Sequence, residues 1–382
     1  MPIKVVSIIS RMNVGGPAVL LRDLIDGLNP DEFEHSLITG VCLPNEIDYL
    51  ASHRVNGDVH YLSAVQRSIL PLKDISGLIS LIKLLKKIQP DIVHTHLSKA
   101  GVLGRIAARV AAPRAKIVHT YHGHVLYGYF PKTITRAVVV LERYLAKLTN
   151  VLIAITSAVE RDLRDVGIGQ QKQWRKIRLG VAIEPKHDRR IAKQKMKIVP
   201  DEKVLLWIGR FAPVKNPALA LKAVSRLREF HFRSVRLIMV GDGDLLNECK
   251  VFAVENELNV DFVGWSDDIF SYLSAADLLL LTSNNEGMGM VILEAATQEV
   301  PTLATDVGGV SEFIQDGKTG FLTSLNAHEF AEKLSEILSR EDLLRTVGHN
   351  ARELVSAEFS RELFVQNHIN LYKELYNPIK SA

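Results

Sequence analysis

Short apolar runs of strand length alternate along this chain with longer segments of helical period. Residues 3–9, IKVVSII, come first. A loop over 10–17 with adjacent Gly15 and Gly16 leads into a helical pattern at 18–28. An unbroken apolar run of that length is what a strand covered on both faces needs. Strand-like runs recur at 35–40, 58–62, 91–96, 115–120 and 151–155, with helix-period segments such as 75–88 between them. This alternation predicts an α/β fold, a parallel sheet with helices on both faces. Ligands of such sheets bind at the carboxyl ends of the strands.

The pattern fails between Gly180 and Val199, where charged residues surround Pro185 and Pro200 follows. This reads as a connection between domains with room for a short helix. A second series then runs through 203–209 (KVLLWIG), 235–240, 260–263, 277–282 and 301–305, and helices at 327–339, 341–356 and 361–375 close it. At 382 residues the chain exceeds what one hydrophobic core serves, so two domains are expected.

The stretch 282–309, TSNNEGMGMVILEAATQEVPTLATDVGG, carries the most chemistry. The apolar run at 278–281 ends there. Ser283, Asn284 and Asn285 break the pattern, each able to cap a helix, and 290–297 reads as that helix. Glu286 stands in the loop and Glu294 in the helix. Between them Gly287, Met288 and Gly289 let backbone N–H groups approach a ligand. A helix N-terminus attracts anions, and carboxylates accept hydrogen bonds from ribose or sugar hydroxyls. A plain loop with two solvated glutamates is the alternative. Farther upstream, Arg210 and Lys215 stand five residues apart on the loop after 203–209. A guanidinium and an ammonium so spaced suit a diphosphate; ordinary surface charge is the other reading.

Two phosphate motifs are excluded. Gly241 and Gly243 lack a third glycine, since Leu246 stands in its place, which disfavours a nicotinamide enzyme. Glu312 replaces the first glycine that a P-loop ending in Gly317-Lys318-Thr319 requires. Histidines crowd two strand ends: His94 and His96, then His119, His122 and His124. The HxH spacing puts two imidazoles on one strand face, as metal ligands do, yet no carboxylate with ligand spacing accompanies them. Core or capping histidines, or a polar-ligand site at His122-Gly123, are the remaining readings.

From Leu97 to Thr149 nine Lys or Arg face a single acid, Glu142, in a chain whose net charge is only +4. An amphipathic helix across 125–149 with Lys132, Arg136, Arg143 and Lys147 is either a solvated face or a surface for an anionic membrane. The apolar and charged fractions, 47% and 24%, are those of a soluble globular protein. Cys42 and Cys249 are far apart and read as free thiols in a reducing compartment. The N-terminus enters a strand without a signal-peptide layout, and no run of 18 apolar residues occurs. The expectation is a cytoplasmic protein with no nucleic-acid partner.

The order of these motifs resembles the family-4 retaining glycosyltransferases of GT-B architecture. The resemblance runs through Gly15-Gly16, VHTHLSKAGVLGR (93–105), HTYHGH (119–124), GRFAPVKNP (209–217), VGDGD (240–244), FVGW (262–265), EGMGMVILEA (286–295) and TDVGG (305–309). HGHVLYGYF (122–130) is similar to a subset that assembles bacterial surface polysaccharides. The resemblance implies two Rossmann-like domains facing across a cleft. These would be an acceptor-side domain over 1–182 and a nucleotide-sugar domain over 183–360, with a final helix in 361–382 crossing back to the first.

It also implies the site. Arg210 and Lys215 would hold the diphosphate, Glu294 the ribose, and Glu286 with the backbone of Gly287, Met288 and Gly289 the transferred sugar. Gly264 and Trp265 would lie beside the base. Gly16 would approach the phosphates, and His122 the sugar. The catalytic set is then His122, Arg210, Lys215 and Glu286. The implied reaction moves a hexose-type sugar from a nucleotide-sugar, UDP-linked by expectation, to a lipid-linked or saccharide acceptor, with no cofactor and no metal. A sugar-nucleotide epimerase, a phosphorylase, which would need a cofactor lysine for which there is no motif, and a non-catalytic binding module are the rivals. Three positions depart from the family pattern: Met288 replaces a frequent aromatic, Glu299 a usual glycine, and Leu179 a common Asn before Gly180.

Overall fold

The computed structural model describes the chain except residues 44–45, 67–69, 124–125, 127–130, 200–201, 231, 233 and 378–382. It divides into two compact units, Met1–Gly180 with Arg361–Ala382, and Val181–Ser360.

The first unit is built on β1 (Ile3–Ile9), β2 (Phe33–Thr39), β3 (Asp58–Tyr61), β4 (Ile92–His96), β5 (Lys116–Tyr121), β6 (Val151–Ala154) and β7 (Trp174–Lys176). All pair in parallel, in the order β3-β2-β1-β4-β5-β6-β7. Between them run α1 (Gly16–Gly27), α2 (Pro71–Ile88), α3 (Ser98–Ala111), α4 (Lys132–Leu148) and α5 (Ser157–Asp165). Helix α3 packs between α2 and α4. The strand order reverses at β1, so the loops after β1 and β4 part and leave a crevice at their carboxyl ends. Gly15 and His96 stand there. The amphipathic helix begins at Lys132, after Pro131, rather than at 125, and 125 and 127–130 lie outside the described residues.

The second unit opens with α6 (Arg189–Lys195), the short helix of the charged connection. Its strands are β8 (Lys203–Ile208), β9 (Val235–Val240), β10 (Val260–Gly264), β11 (Leu278–Leu281), β12 (Thr302–Thr305) and β13 (Phe321–Thr323). They too are all parallel, ordered β10-β9-β8-β11-β12-β13. The helices are α7 (Pro217–Arg226), α8 (Leu246–Glu255), α9 (Ile269–Ala275), α10 (Met290–Thr297), α11 (Ala327–Leu338) and α12 (Glu341–Glu358).

Successive strand side chains point to opposite faces. Leu205, Trp207, Leu237 and Leu280 therefore join one buried cluster, and Val204, Leu206, Ile238 and Leu279 join another. Both faces of this sheet are covered, which is why its strands read as unbroken apolar runs.

The last helix, α13 (Arg361–Tyr376), belongs to the first unit and packs on α1. Glu299, which replaces a usual glycine, keeps the left-handed turn at φ +58°. Lys186 pairs with its carboxylate at 2.5 Å. No helix among the described residues is long and apolar enough to cross a membrane.

Candidate functional site

In the second unit the strand order reverses between β8 and β11, so the loops that follow these two strands form its switch point. Arg210 and Lys215 lie on the first loop, Glu286 to Gly289 on the second. Side chains lace the two together. Thr282 Oγ1 donates to the Asn216 carbonyl at 2.9 Å and accepts from Trp207 Nε1 at 3.0 Å. Asn284 Nδ2 donates to the Pro213 carbonyl at 2.8 Å. Two glycines permit the close approach of neighbouring loops. At Gly241, φ +135°, a Cβ would stand 1.9 Å from the Gly209 carbonyl oxygen. At Gly308, φ +57°, it would stand 1.9 Å from that of Glu286.

Asn284 is thus spent on the loop and Ser283 on Glu286, whose Oε1 accepts from Ser283 Oγ at 2.9 Å. Neither caps α10, contrary to the expectation from sequence. Gly289 occupies the N-cap at φ +92° with no side-chain cap. No side chain therefore caps the first N–H groups of α10, of which that of Ile292 turns back to the Gly289 carbonyl at 3.1 Å.

Lys215 Nζ forms an ion pair with Glu286 Oε1. The cation expected on the diphosphate and the carboxylate expected on the sugar are bound to each other. The Arg210 side chain is exposed. Glu294 sits partly buried in α10. Burial alone pushes its carboxyl up to about 7, and no described side chain bonds to it. Gly264, φ +77°, accepts from the Gly241 N–H at 2.8 Å, and Trp265 beside it is 36% exposed. The Met288 side chain is completely buried and packs under the loop. A thioether is pliant enough to fill such a place, and the contact the resemblance implies at this position is made by the backbone.

Gly16 and His122 belong to the first unit. Gly16 is the first residue of α1, whose N-cap Gly15 (φ +153°) offers no side-chain cap. His122 ends in a cluster that the sequence only half revealed. His94 Nδ1 bonds to Tyr372 Oη and its Nε2 to Thr120 Oγ1, both at 2.7 Å. The His96 ring lies tilted with its centroid 4.1 Å from that of His94, and its Nδ1 meets His122 Nε2 at 3.2 Å. Thr95 Oγ1 holds His119 Nδ1 at 2.8 Å.

Burial lowers the pKa of all four histidines: His122 to about 4, and His94, His96 and His119 well below the ordinary value. His368 from α13 completes the group and is held at about 4. His96 and His122 border a cavity of about 10 Å³, room for roughly one water. Among the described residues no group of histidines, cysteines and carboxylates is arranged to hold a metal. His124 lies outside the described residues.

Comparison with known proteins gives this geometry its context. Residues 14–184 match the family model "Glycosyltransferase Family 4", and 188–354 match "Glycosyl transferases group 1". An Escherichia coli UDP-Gal:α-D-GlcNAc-diphosphoundecaprenol α-1,3-galactosyltransferase is 31% identical over 83% of this chain and 82% of its own. The Staphylococcus aureus capsular polysaccharide biosynthesis glycosyltransferase CapM is 23% identical over 83% and 85%. Among solved structures, Anabaena Alr3699/HepE in complex with UDP and glucose superposes with a TM-score of 0.81 at 22% identity, over 97% of this chain and all of the other. The fold is therefore the two-Rossmann-unit GT-B fold, and the chain belongs to the family 4 glycosyltransferases.

Proposed function

We propose that this enzyme moves a hexose-type sugar from a UDP-sugar to a polyprenyl-diphosphate-linked acceptor in bacterial surface polysaccharide assembly, with retention at the anomeric carbon. One observation carries the reading. In a single unit, at a single switch point, Lys215 pairs with Glu286, Arg210 lies on the same loop as Lys215, and α10 starts without a side-chain cap on the loop that carries Glu286. Cations and free N–H groups match the charge that grows on a departing diphosphate, and they gain most in the transition state. Glu294 suits a ribose: no described side chain bonds to its carboxylate, and two hydroxyl donors stabilise its ionised form.

The anomeric carbon becomes oxocarbenium-like as the bond to phosphate breaks. A departing phosphate oxygen takes the acceptor proton, so no protein nucleophile is assigned. Arg210 and Lys215 supply the positive charge in this reading, and no metal is part of it. The polyprenyl-diphosphate acceptor is the one printed in the name of the E. coli relative.

The first unit carries a face suited to the surface where such acceptors lie. On α2, Leu72, Ile75 and Ile79 are exposed among Lys73, Lys83 and Lys86. On α4, Ile134, Val140 and Tyr144 are exposed among Arg136, Arg143 and Lys147. Exposed apolar and basic side chains interleaved on two helices fit an anionic lipid surface on the cytoplasmic side.

The test supplies a panel of UDP-hexoses with GlcNAc-diphosphopolyprenol, with and without EDTA. An α-linked product formed equally in both supports the reading. A β-linked product, dependence on metal, or sugar release at the same rate without acceptor counts against it. For the membrane face, sedimentation with phosphatidylglycerol vesicles should weaken with salt; equal binding to neutral vesicles removes that part.

A further inference from the structure

The ion pair between Lys215 and Glu286 has a consequence for which ligand the site prefers. Glu286 is the more enclosed partner, with its side chain 9% exposed against 30% for Lys215. Its Oε1 also accepts from Ser283 Oγ, and Ser283 is itself only 1% exposed. The Glu286 backbone is fixed as well, because its carbonyl accepts from the Gly309 N–H at 3.2 Å. The enclosed carboxylate is therefore held by Ser283 when it loses its cation. A diphosphate that takes Lys215 leaves Glu286 enclosed, short of a partner and facing a polyanion. Such a charge is costly unless new donors reach it.

A nucleotide-sugar brings those donors, since its sugar hydroxyls lie next to the diphosphate it presents to Lys215. A bare nucleoside diphosphate brings none. We infer that the Lys215–Glu286 pair is a latch that opens for the intact donor and closes again once the sugar has gone. It sets the site against the nucleoside diphosphate product and so favours its release. Ser283 acts as a positioning residue that keeps Glu286 aimed at Lys215. The inference rests on the donor site proposed above.

Calorimetric titration with UDP and with a UDP-hexose that turns over tests it in four proteins: wild type, Glu286→Gln, Ser283→Ala and Arg210→Ala. Gln keeps the shape and removes the charge. In Glu286→Gln, UDP should bind at least about tenfold more tightly than in wild type, while the UDP-hexose should bind no more tightly. Ser283→Ala should shift UDP in the same direction by a smaller factor, with thermal melting confirming that the variant folds. Unchanged or weaker UDP binding in Glu286→Gln overturns the latch. Arg210→Ala separates that failure from failure of the site. If it weakens UDP while Glu286→Gln does not tighten it, only the latch falls. If it leaves UDP unaffected, the donor-site reading falls as well.

Discussion

The two units share a strand plan but treat their polar groups in opposite ways. The first buries histidines in and against its sheet and keeps them neutral. His35 is pushed down to about 3 by burial, His122 and His368 to about 4, and His94, His96 and His119 well below the ordinary histidine range. The second holds its site charges outside the strands, on loops and on α10, where the Glu294 carboxyl is raised to about 7. One kind of burial resists protonation and the other invites it. Acid should therefore push the two units in opposite directions.

The largest effect expected is acid loss of the first unit. A histidine held neutral in the fold but ordinary when unfolded makes the unfolded chain the better proton binder between about pH 6.5 and 4. Stability is complete above 6.5 and falls as pH drops, by up to about 1.4 kcal/mol per pH unit for each such histidine. Six of them amount to several kcal/mol. Hydrogen exchange resolved by peptide, at pH 7.5 and 5, should show β4, β5 and α13 opening in acid while β8 and β11 stay protected. Equal loss in both units would erase the contrast.

A buried charge pair in the first unit sharpens it next. Arg105, completely buried, binds both oxygens of Glu142 at 2.8 Å, and Tyr121 Oη donates to Oε2 at 2.7 Å. Glu142→Leu leaves the guanidinium enclosed and unpaired and should cost about 3–5 kcal/mol in urea unfolding. A cost below about 1 kcal/mol would mean that water or another group reaches Arg105. The site loops of the second unit should behave differently. Arg210 is exposed, so Arg210→Ala should leave unfolding nearly unchanged yet reduce kcat/KM at least tenfold, about 1.4 kcal/mol of transition-state stabilisation. Normal turnover would remove Arg210 from the site.

The contrast was only partly legible in the sequence. β11 and α10 match the expected 278–281 and 290–297, because an apolar run stops abruptly at Thr282 and resumes with helical spacing after Gly289. β7 and β13, three residues each, are too short to show a period. The histidines of β4 and β5 drew attention, but their partners did not. Tyr372 lies 278 positions from His94 and looks locally like any inward residue of a helix. The Lys215–Glu286 pair was hidden for a related reason. Each side chain suggested a ligand contact by its own chemistry, and only the lacing of two loops 71 positions apart brings them together. Met288 shows the same limit, since nothing local reveals that a loop residue between glycines points inward.

The smallest effect expected separates stability from function at one residue. Glu294 has a folded-state pKa of about 7, above its ordinary 4.5, and burial alone is the cause. The folded chain is then the better proton binder between pH 4.5 and 7. This residue weakens the fold as pH rises through that window, and the weakening is complete above it. Glu294→Gln should consequently stabilise the ligand-free enzyme at pH 7.5, by about 1 kcal/mol once its partial exposure is allowed for. If the carboxylate takes the ribose hydroxyls, the same change should reduce kcat/KM about tenfold at pH 7.5. In the wild type kcat/KM should fall below pH 7 as the free enzyme protonates there, and the variant should lose that limb. A variant that is less stable than wild type, or that keeps the acid limb, would show that the strain at Glu294 is not held for the donor. Stability gained together with activity lost is the signature of a group kept short of partners so that a substrate can supply them.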